Sequence, residues 1–445
     1  MSDVGTTGDV YAGRRARLLS ALADEDSPGA LIVAASPEAR VGADGETRYL
    51  PAANIYYLTG FTEPDAVVVL CPSADEPFTM FVRPRDAARE RWDGARAGEE
   101  GAVSLFGADA AHAIGTLGER LPKLVAGARV LYAPFDSGRA AVDAAVRAAL
   151  AHARHTRPRT GRGALTVIDP DVLLAPLRAV KDAHEIELMR AAARITVDAF
   201  GDAVRMIAGA AGEWQVEAAL EHGFRDRGAD GSAFPPIVAG GANATVLHYV
   251  GNSTPLDAGS LLLIDAGARH AMYCADVSRT LPVGGHFSPD QRAVYDVVLA
   301  AHAAAIAAVA PDAAAGAVDD AALRVLVDGM IQLGLLSGSV DDIIERKEYQ
   351  RYFPHRTSHW LGLDVHDVGN HVDERGDAVR LVPGMTLTVE PGLYIPADDA
   401  SAPAALRGIG VRLEDDVLVT ARGCEVLTGR LPIAPGDVEA MLRGE

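Results

Sequence analysis

The chain has 445 residues, a length that predicts two or three domains and allows a sizeable hydrophobic core. Lys and Arg total 41 against 61 Asp and Glu, and the formal net charge of -20 disfavours binding to nucleic acid or to an anionic membrane surface. Hydrophobic residues make up 49% and charged residues 23%, as in a soluble globular enzyme, and no apolar run approaches the roughly 20 residues that cross a bilayer.

The cysteines and the first residues indicate the cellular compartment. Cys71, Cys274 and Cys424 are too few and too unevenly placed for a disulfide framework or a CxxC metal site, which fits a reducing compartment. The first eight residues are small and polar, lack the basic start and apolar stretch of a secretory signal, and are expected to be disordered. We therefore predict a cytoplasmic protein.

The N-terminal part of the chain alternates short apolar runs with helical stretches. Strands are predicted at residues 30–35, 66–70, 78–82 and 129–133, and helices at residues 110–121 and 140–153. This pattern is typical of one α/β domain, and it contains no cluster of catalytic residue types. After a loop at residues 158–163 we place the domain boundary between residues 175 and 176, which gives domains of residues 1–175 and 176–445.

The second domain alternates helices with strands that contain nearly all the candidate catalytic residues. Its first long helix is predicted to open at Leu177. The helices are predicted at about residues 181–208, 213–228, 288–310 and 317–334.

Residues 261–280 contain two apolar runs joined by a short polar connection, which predicts a hairpin centred between His270 and Ala271. In that register Asp265 faces Asp276, with Cβ atoms about 4.5–5.5 Å apart. Two opposed carboxylates repel one another unless they share a cation, so the pair indicates a divalent metal site. Taken alone, the pair also fits a turn cap at Asp265 and an exposed strand residue at Asp276.

Two further acids lie within predicted strands whose alternate positions are apolar. One strand covers residues 384–390 and ends with Glu390, and the other covers residues 410–420 with Arg412 and Glu414 on one face. Because an isolated buried carboxylate is costly, each acid is expected to be paired or metal-bound. For Glu414, an ion pair with Arg412 is the alternative.

Three of the 13 histidines, His355, His359 and His366, lie close together amid apolar residues. A single histidine there is more often a partly buried structural residue than a ligand, but three together indicate a site. His359 and the four acids form an oxygen-rich set suited to Mn²⁺, Co²⁺ or Zn²⁺. Four carboxylates can bridge two ions about 3.5–4 Å apart.

Five strings of residues around these positions follow one another along the second domain. They are Ile264-Asp-Ala-Gly, Ala275-Asp-Val-Ser-Arg-Thr, Ser358-His-Trp-Leu-Gly-Leu-Asp-Val-His-Asp-Val-Gly, Thr388-Val-Glu-Pro-Gly-Leu-Tyr and Gly410-Val-Arg-Leu-Glu-Asp-Asp. Together they resemble the proline-specific aminopeptidases, aminopeptidase P, which are dinuclear metallopeptidases with the pita-bread fold. Residues 48–65 and 83–94 extend the resemblance to that family's N-terminal domain. The resemblance implies an α/β (α+β) fold in which a smaller creatinase-like domain precedes a pita-bread catalytic domain.

The resemblance also implies a role for each matching acid. Asp265 would hold one metal ion, His359 and Glu390 would hold the other, and Asp276 and Glu414 would bridge both. Glu390 would also act as the general base. The two divalent ions are expected to be Mn²⁺, with Co²⁺ or Zn²⁺ as alternatives.

The remaining site residues would bind substrate and move protons. His248, His366 and the nearby His355 match or adjoin the family's non-ligand histidines, and Arg412 would orient the site. Tyr394 and Trp92 would line the substrate pocket, with Trp92 reaching in from a neighbouring subunit.

Two departures from the family pattern concern the substrate. Members often carry Asp where this chain has Asn54, which bears on recognition of the free amino group. Arg356 adds a charge close to the site, where many members have glycine, and puts the preferred peptide length in question.

The function that the resemblance implies is hydrolysis of the bond between an N-terminal residue and a following proline, by a hydroxide shared between the metal ions. The substrates would be proline-containing peptides, and the protein would be a dimer or tetramer. Prolidase, a strict dipeptidase with the same five ligands, is the nearest alternative. A methionine aminopeptidase matches only the second domain, and a metal-free binding module or a creatinase-type hydrolase lacks some of the ligand carboxylates.

Overall fold

The computed structural model of the protein describes residues 7–24, 26–38, 40–41 and 45–445. The chain divides into two units, Met1–Leu177 and Arg178–Glu445, two residues after the boundary that we predict. Of the eight residues expected to be disordered, the first six lie outside the described residues, and the other two belong to the first helix. Within the described part of the chain, no helix combines the length and the apolar character needed to span a membrane.

The N-terminal unit is built on one mixed β-sheet. Its helices are α1 (Thr7–Leu22), α2 (Ala53–Thr59), α3 (Glu90–Asp93), α4 (Gly98–Ser104), α5 (Leu117–Leu124), α6 (Ala140–Thr160) and α7 (Asp171–Ala179). Its strands are β1 (Gly29–Ala34), β2 (Arg40–Val41), β3 (Gly45–Glu46), β4 (Val67–Leu70), β5 (Phe78–Val82), β6 (Ala110–Ala113), β7 (Val130–Tyr132) and β8 (Thr166–Ile168). Six of the strands form the sheet, in the order β6-β5-β4-β1-β7-β8. Its buried core includes Ile32, Val69 and Leu131.

Two predicted features of this unit are wrong. Residues 110–121 begin as strand β6, which pairs in parallel with β5, and only the later residues are helical. Pairing with a neighbouring strand decides the structure of this short alanine-rich segment, whose own sequence gives a weak signal. The loop expected at residues 158–163 is helical in its first half, because α6 continues through Pro158 to Thr160. Gly161 is the C-cap of this helix and adopts a left-handed φ of 68°.

The C-terminal unit contains long helices and four small β-sheets, whose strands position the predicted site. Its helices are α8 (Ala183–Met206), α9 (Glu213–Asp226), α10 (Pro289–Ala308), α11 (Gly316–Gln332), α12 (Val340–Glu345) and α13 (Pro435–Arg443). Its strands are β9 (Gly231–Ser232), β10 (Ile237–Gly240), β11 (Leu261–Ala266), β12 (Ala268–His270), β13 (Tyr273–Cys274), β14 (Val277–Pro282), β15 (Thr386–Val389), β16 (Gly392–Tyr394), β17 (Gly410–Arg412), β18 (Asp415–Thr420) and β19 (Gly423–Val426). The sheets have the orders β10-β11-β14, β13-β12-β9, β15-β18-β19 and β16-β17.

The four long helices predicted for this unit are confirmed, but the first begins later than expected. Asp182 is the N-cap of α8, because its side chain accepts from the N–H of Glu185 while the Glu185 side chain accepts from the N–H of Asp182. The preceding residues are held elsewhere, since the N–H of Lys181 donates to the carbonyl of Gly384. The helix therefore opens at Ala183 and not at Leu177.

The hairpin that carries the two aspartates turns one residue later than predicted. Asp265 pairs with Ser278 across β11 and β14, and not with Asp276. Ala271 and Met272 form the turn with positive φ values of 46° and 72°, as in a two-residue type I′ turn. Moving the centre of the turn by one residue moves the partner of Asp265 by two residues, from Asp276 to Ser278. Because side chains alternate with a period of two, both aspartates stay on one face.

The single strand predicted at residues 410–420 is two strands in different sheets. β17 ends at Arg412 and pairs with β16, whereas β18 begins at Asp415 and pairs with β15. In the break between them, the N–H of Glu414 donates to the carbonyl of Ser278 (3.0 Å). The break therefore seats Glu414 against β14, beside the aspartate hairpin.

Candidate metal centre and active site

The five residues predicted to bind metal lie on separate segments of the C-terminal unit. Asp265 lies within β11, Asp276 directly before β14, and Glu390 directly after β15. Glu414 occupies the break between β17 and β18. His359 lies on the segment before β15, where its carbonyl accepts from the N–H of the β15 residue Thr388 (2.9 Å).

The structure brings these five side chains together. His359 Nε2 lies 3.5 Å from Oδ2 of Asp276 and 3.6 Å from Oε1 of Glu390. Asp276, His359 and Glu414 each offer a ligand atom, and these atoms all lie within 4.8 Å of one another. Asp265 completes the group, because its charge acts on Asp276, Glu390 and Glu414 alike.

Three carboxylates of this group, those of Asp276, Glu390 and Glu414, are protonated more readily than ordinary ones. Burial, followed by the charges of Asp265, Asp416 and Glu390, raises the pKa of Asp276 well above its usual range. Burial and then the charge of Asp276 do the same to the pKa of Glu414. Burial also raises the pKa of Glu390 to about 7, against the lowering effects of His359 and Arg412. The cluster therefore holds more negative charge than the surrounding protein neutralises.

Two carboxylate oxygens without partners and the orientation of one imidazole indicate that this cluster fits divalent cations. Oδ1 of Asp265 and Oδ1 of Asp276 are buried and have no hydrogen-bond partner among the described residues. Buried oxygens are rarely left unsatisfied, so a cation is the natural partner for this pair. Nδ1 of His359 lies 2.9 Å from the carbonyl oxygen of Trp360, which leaves Nε2 facing the carboxylates in the arrangement of a metal-binding histidine.

A buried arginine connects one edge of the cluster to a tyrosine and a histidine. Arg412 donates to Oδ2 of Asp265 (2.5 Å), to the hydroxyl of Ser278 (2.9 Å) and to that of Tyr394 (3.1 Å). The Tyr394 hydroxyl lies 2.8 Å from Nε2 of His355. Arg412 thus pairs with Asp265 and not with Glu414, which accepts from Ser278 instead (2.8 Å).

Two histidines around the cluster are less readily protonated than an ordinary imidazole. Burial, and then the charge of Arg412, lowers the pKa of His355 to about 4. The His366 ring lies 4.3 Å from that of His359, and burial followed by the His359 charge lowers the pKa of His366. His248 is exposed, and its charge contributes to lowering the pKa of both His355 and His366. All three histidines therefore lie within electrostatic reach of one another, and His355 and His366 favour the neutral form.

Comparison with sequence families places this geometry in a known group. The profile of "Metallopeptidase family M24" matches residues 187–421, more than half of the chain, and that of "Aminopeptidase P, N-terminal domain" matches residues 11–132. The chain belongs to metallopeptidase family M24. It is thus a metal-dependent exopeptidase, as the sequence resemblance implied, with the expected α/β architecture of an aminopeptidase P N-terminal domain and a pita-bread domain.

Relatives of this M24 peptidase match it along almost its whole length. The Xaa-Pro aminopeptidase of Escherichia coli (strain K12) is 37% identical, with 96% of both chains covered. The structure of Pseudomonas aeruginosa aminopeptidase PepP superposes with a TM-score of 0.92 at 38% identity, covering 98% of each chain. Zn-substituted E. coli aminopeptidase P in complex with product gives a TM-score of 0.91 at 35% identity and the same coverage. These relatives do not favour the strict dipeptidase alternative.

The sequence also singles out Trp92, Asn54 and Arg356 as residues that bear on the substrate of this M24 peptidase. Trp92 belongs to the N-terminal unit, where it lies on α3 and is 86% exposed. Asn54 belongs to the same unit and donates to Asp171 (2.9 Å). Arg356 lies beside His355 in the C-terminal unit, but its guanidinium is paired with Asp319 on α11.

Sequence reasoning missed two residues that support the cluster. Both oxygens of the Asp416 carboxylate lie 3.2 Å from the N–H of Asp276, and the run of acids at residues 414–416 was the available signal. Asp319 accepts from the N–H of Thr357 (2.8 Å), whose carbonyl accepts from the N–H of Glu390 (2.7 Å). Nothing in the sequence around Asp319 distinguishes it from other helical acids.

Proposed function

We propose that the protein removes the N-terminal residue from peptides whose second residue is proline. The observation that carries this proposal is the convergence of three buried carboxylates, the partly buried Glu390 and His359 next to the Arg412–Tyr394–His355 network. The relatives that match the chain along its whole length are Xaa-Pro aminopeptidases. Because a proline nitrogen carries no hydrogen once in a peptide bond, specificity must come from the shape of the pocket and from anchoring of the free amine.

We propose that the cluster holds two divalent ions, with Mn²⁺ as the native metal. Asp265 would bind one ion, His359 and Glu390 the other, and Asp276 and Glu414 both. Four carboxylates and one imidazole form an oxygen-dominated donor set, which supports Mn²⁺ over metals that prefer thiolate. When bound, such ions supply Lewis acidity to the scissile carbonyl and lower the pKa of water so that hydroxide is available near neutral pH.

The proposed proton transfers use side chains that surround the cluster. Glu390 is the general base, and its pKa of about 7 in the metal-free protein shows how strongly this pocket favours the protonated carboxyl. His248 and His366 stabilise the developing oxyanion or relay a proton to the leaving proline nitrogen. The catalytic set would also include His355 and Arg412, which hold Tyr394 between them and thereby shape the substrate pocket.

We further propose a cytoplasmic homo-oligomer, a dimer or tetramer. The three cysteines are free, which supports a reducing compartment. The highly exposed indole of Trp92 supports a protein contact, in which it would reach the substrate pocket of a neighbouring subunit. Light scattering of the wild type and of Trp92→Ala would measure the oligomeric state directly.

The test of the proposed function combines metal content with peptide cleavage. Protein purified without chelators is analysed for bound Mn, Co and Zn, and is then assayed on Xaa-Pro dipeptides and on Xaa-Pro-Xaa peptides of increasing length. Release of the N-terminal residue from the longer peptides, lost with chelator and restored by Mn²⁺, supports the proposal. Cleavage confined to dipeptides contradicts it in favour of prolidase.

A further inference from the structure

The loop over residues 240–254 is anchored to a buried carboxylate that the proposed mechanism does not use. Glu213 is the first residue of helix α9 and is 0% exposed. Its two oxygens accept from four donors of this loop: the N–H of Gly240 (2.7 Å), Nδ2 of Asn243 (3.0 Å), the hydroxyl of Tyr249 (2.9 Å) and the N–H of Thr254 (2.7 Å).

Backbone hydrogen bonds also attach the base of the loop to the residues around the start of α9. The N–H of Glu213 donates to the carbonyl of Thr254 (3.0 Å), which makes the bond between these two residues reciprocal. The N–H of Leu256 donates to the carbonyl of Ala211 (3.2 Å). Both ends of the loop are therefore fixed to the start of α9.

Glu213 lies at a position that favours an acidic side chain. All four donors are neutral, and a carboxylate at a helix N-terminus is favoured by the helix dipole. Hydrogen bonds to an ionised acceptor are stronger than neutral ones, so four of them define the loop conformation tightly.

The segment that carries His248 is anchored on both sides of this residue. Leu247 and Tyr249 are partly buried and pack against the hydrophobic core, whereas Val246 and Val250 are each 54% exposed. Tyr249 also makes one of the four bonds to Glu213, and His248 itself is exposed. Glu213 therefore contributes, together with these core contacts, to the position of the His248 ring.

We infer that Glu213 is a positioning residue, which holds His248 at the edge of the metal cluster through the loop over residues 240–254. The inference rests on the proposed role of His248 in proton transfer. Glu213 itself touches neither the proposed metal ligands nor the substrate pocket residues in the contacts described above, so it acts through the loop.

Two variants of different severity test this role. Glu213→Gln places an amide N–H₂ against N–H and hydroxyl donors, and we expect kcat to fall about 10- to 100-fold while KM changes less than about threefold. Tyr249→Phe removes one donor from a partly exposed site and keeps the ring, so the folded state is retained, and kcat should fall about 3- to 10-fold. Glu221→Gln, an exposed acid on the same helix, is the matched control and should leave kcat within about twofold.

A double-mutant cycle with His248→Ala separates positioning from general damage. If Glu213 acts through His248, adding Tyr249→Phe or Glu213→Gln to His248→Ala costs little further activity. Fully additive losses would overturn the inference.

Hydrogen exchange supplies a readout that does not depend on activity. In Glu213→Gln and Tyr249→Phe, but not in Glu221→Gln, the amides of residues 240–254 should exchange faster, with the rest of the C-terminal unit unchanged. Unchanged exchange in this loop overturns the inference even if the wild type is an active aminopeptidase. A wild type that cleaves no Xaa-Pro peptide, with faster loop exchange in the variants, instead overturns the proposed function and leaves the anchoring of the loop in place.

Discussion

The electrostatic surroundings of Asp415 are opposite to those of its two neighbours in sequence, Glu414 and Asp416. Asp415 accepts from Arg279 (2.8 Å) and Thr428 (2.6 Å) and faces Nε2 of His302 (3.1 Å). Although burial alone would raise it, the Arg279 charge and these hydrogen bonds hold the pKa of Asp415 well below its usual range. Burial raises the pKa of Glu414 and of Asp416 well above it.

The difference comes from what each face of the strand meets. Asp415 and Asp416 are successive residues of β18 and point to opposite faces of the strand, whereas Glu414 lies in the break before β18. The surroundings of Asp415 supply an arginine and a hydroxyl from the protein itself, whereas those of Glu414 supply mainly other carboxylates. A buried acid whose cation belongs to the chain is structural, and a group of buried acids without enough cations marks a place where the charge must come from outside.

The largest expected effect comes from removing a carboxylate of the metal cluster that surrounds Glu414. Glu390→Ala deletes both a proposed metal ligand and the proposed general base, so we expect kcat/KM on Xaa-Pro-Xaa peptides to fall at least about 10³-fold. The exposed Glu374→Ala serves as the control, with near-normal activity expected. Near-normal activity of Glu390→Ala would refute its assignment.

Neutralising Asp415 and neutralising Glu414 should affect stability differently. Asp415→Asn leaves the buried Arg279 without its ionised partner and should lower the free energy of unfolding by about 3–5 kcal/mol. In the metal-free protein, Glu414→Gln relieves repulsion and should leave stability unchanged or raise it by about 1 kcal/mol. Urea unfolding of the chelator-treated proteins measures the free energy of unfolding of both variants. Equal destabilisation by the two substitutions would contradict the difference that we describe between Asp415 and Glu414.

The metal-free protein should lose stability as the pH rises. Because the pKa of Glu390 is raised from 4.5 to about 7, the folded state binds this proton more tightly than the unfolded state does. The stabilisation is complete below the unfolded pKa and is lost as the pH passes through the folded value, by on the order of 3 kcal/mol for this group. Asp276 and Glu414 act in the same direction.

Unfolding measured from about pH 5 to about pH 8, with and without Mn²⁺, checks this prediction. Bound metal should abolish the loss, because the ions require ionised ligands and bind more tightly as the pH rises. Stability of the metal-free protein that increases over this range would contradict the description of the cluster as under-neutralised.

The smallest effect is expected at the rim of the site, where charge is exposed to water. Arg356, whose side chain is 56% exposed, pairs with Asp319, and Arg356→Gln should change the free energy of unfolding by less than about 1 kcal/mol. If this guanidinium governs peptide length, the variant should alter the ratio of kcat/KM between tripeptides and longer peptides. An unchanged ratio would assign Arg356 a local structural role alone.

The sequence by itself determined the fold class, the long helices of the C-terminal unit and the set of acids and histidines that cluster there. Periodicity and capping are local properties, and the five strings around the acids are long enough to specify their family. Tertiary structure decided which acids are paired and which are not. Asp415 and Asp416 are indistinguishable in sequence, and only the arrival of Arg279 from β14 on one side makes Asp415 structural. The hairpin register, the break before Asp415 and the attachment of the His248 loop to Glu213 depend on partners far along the chain, whose contacts no local pattern encodes.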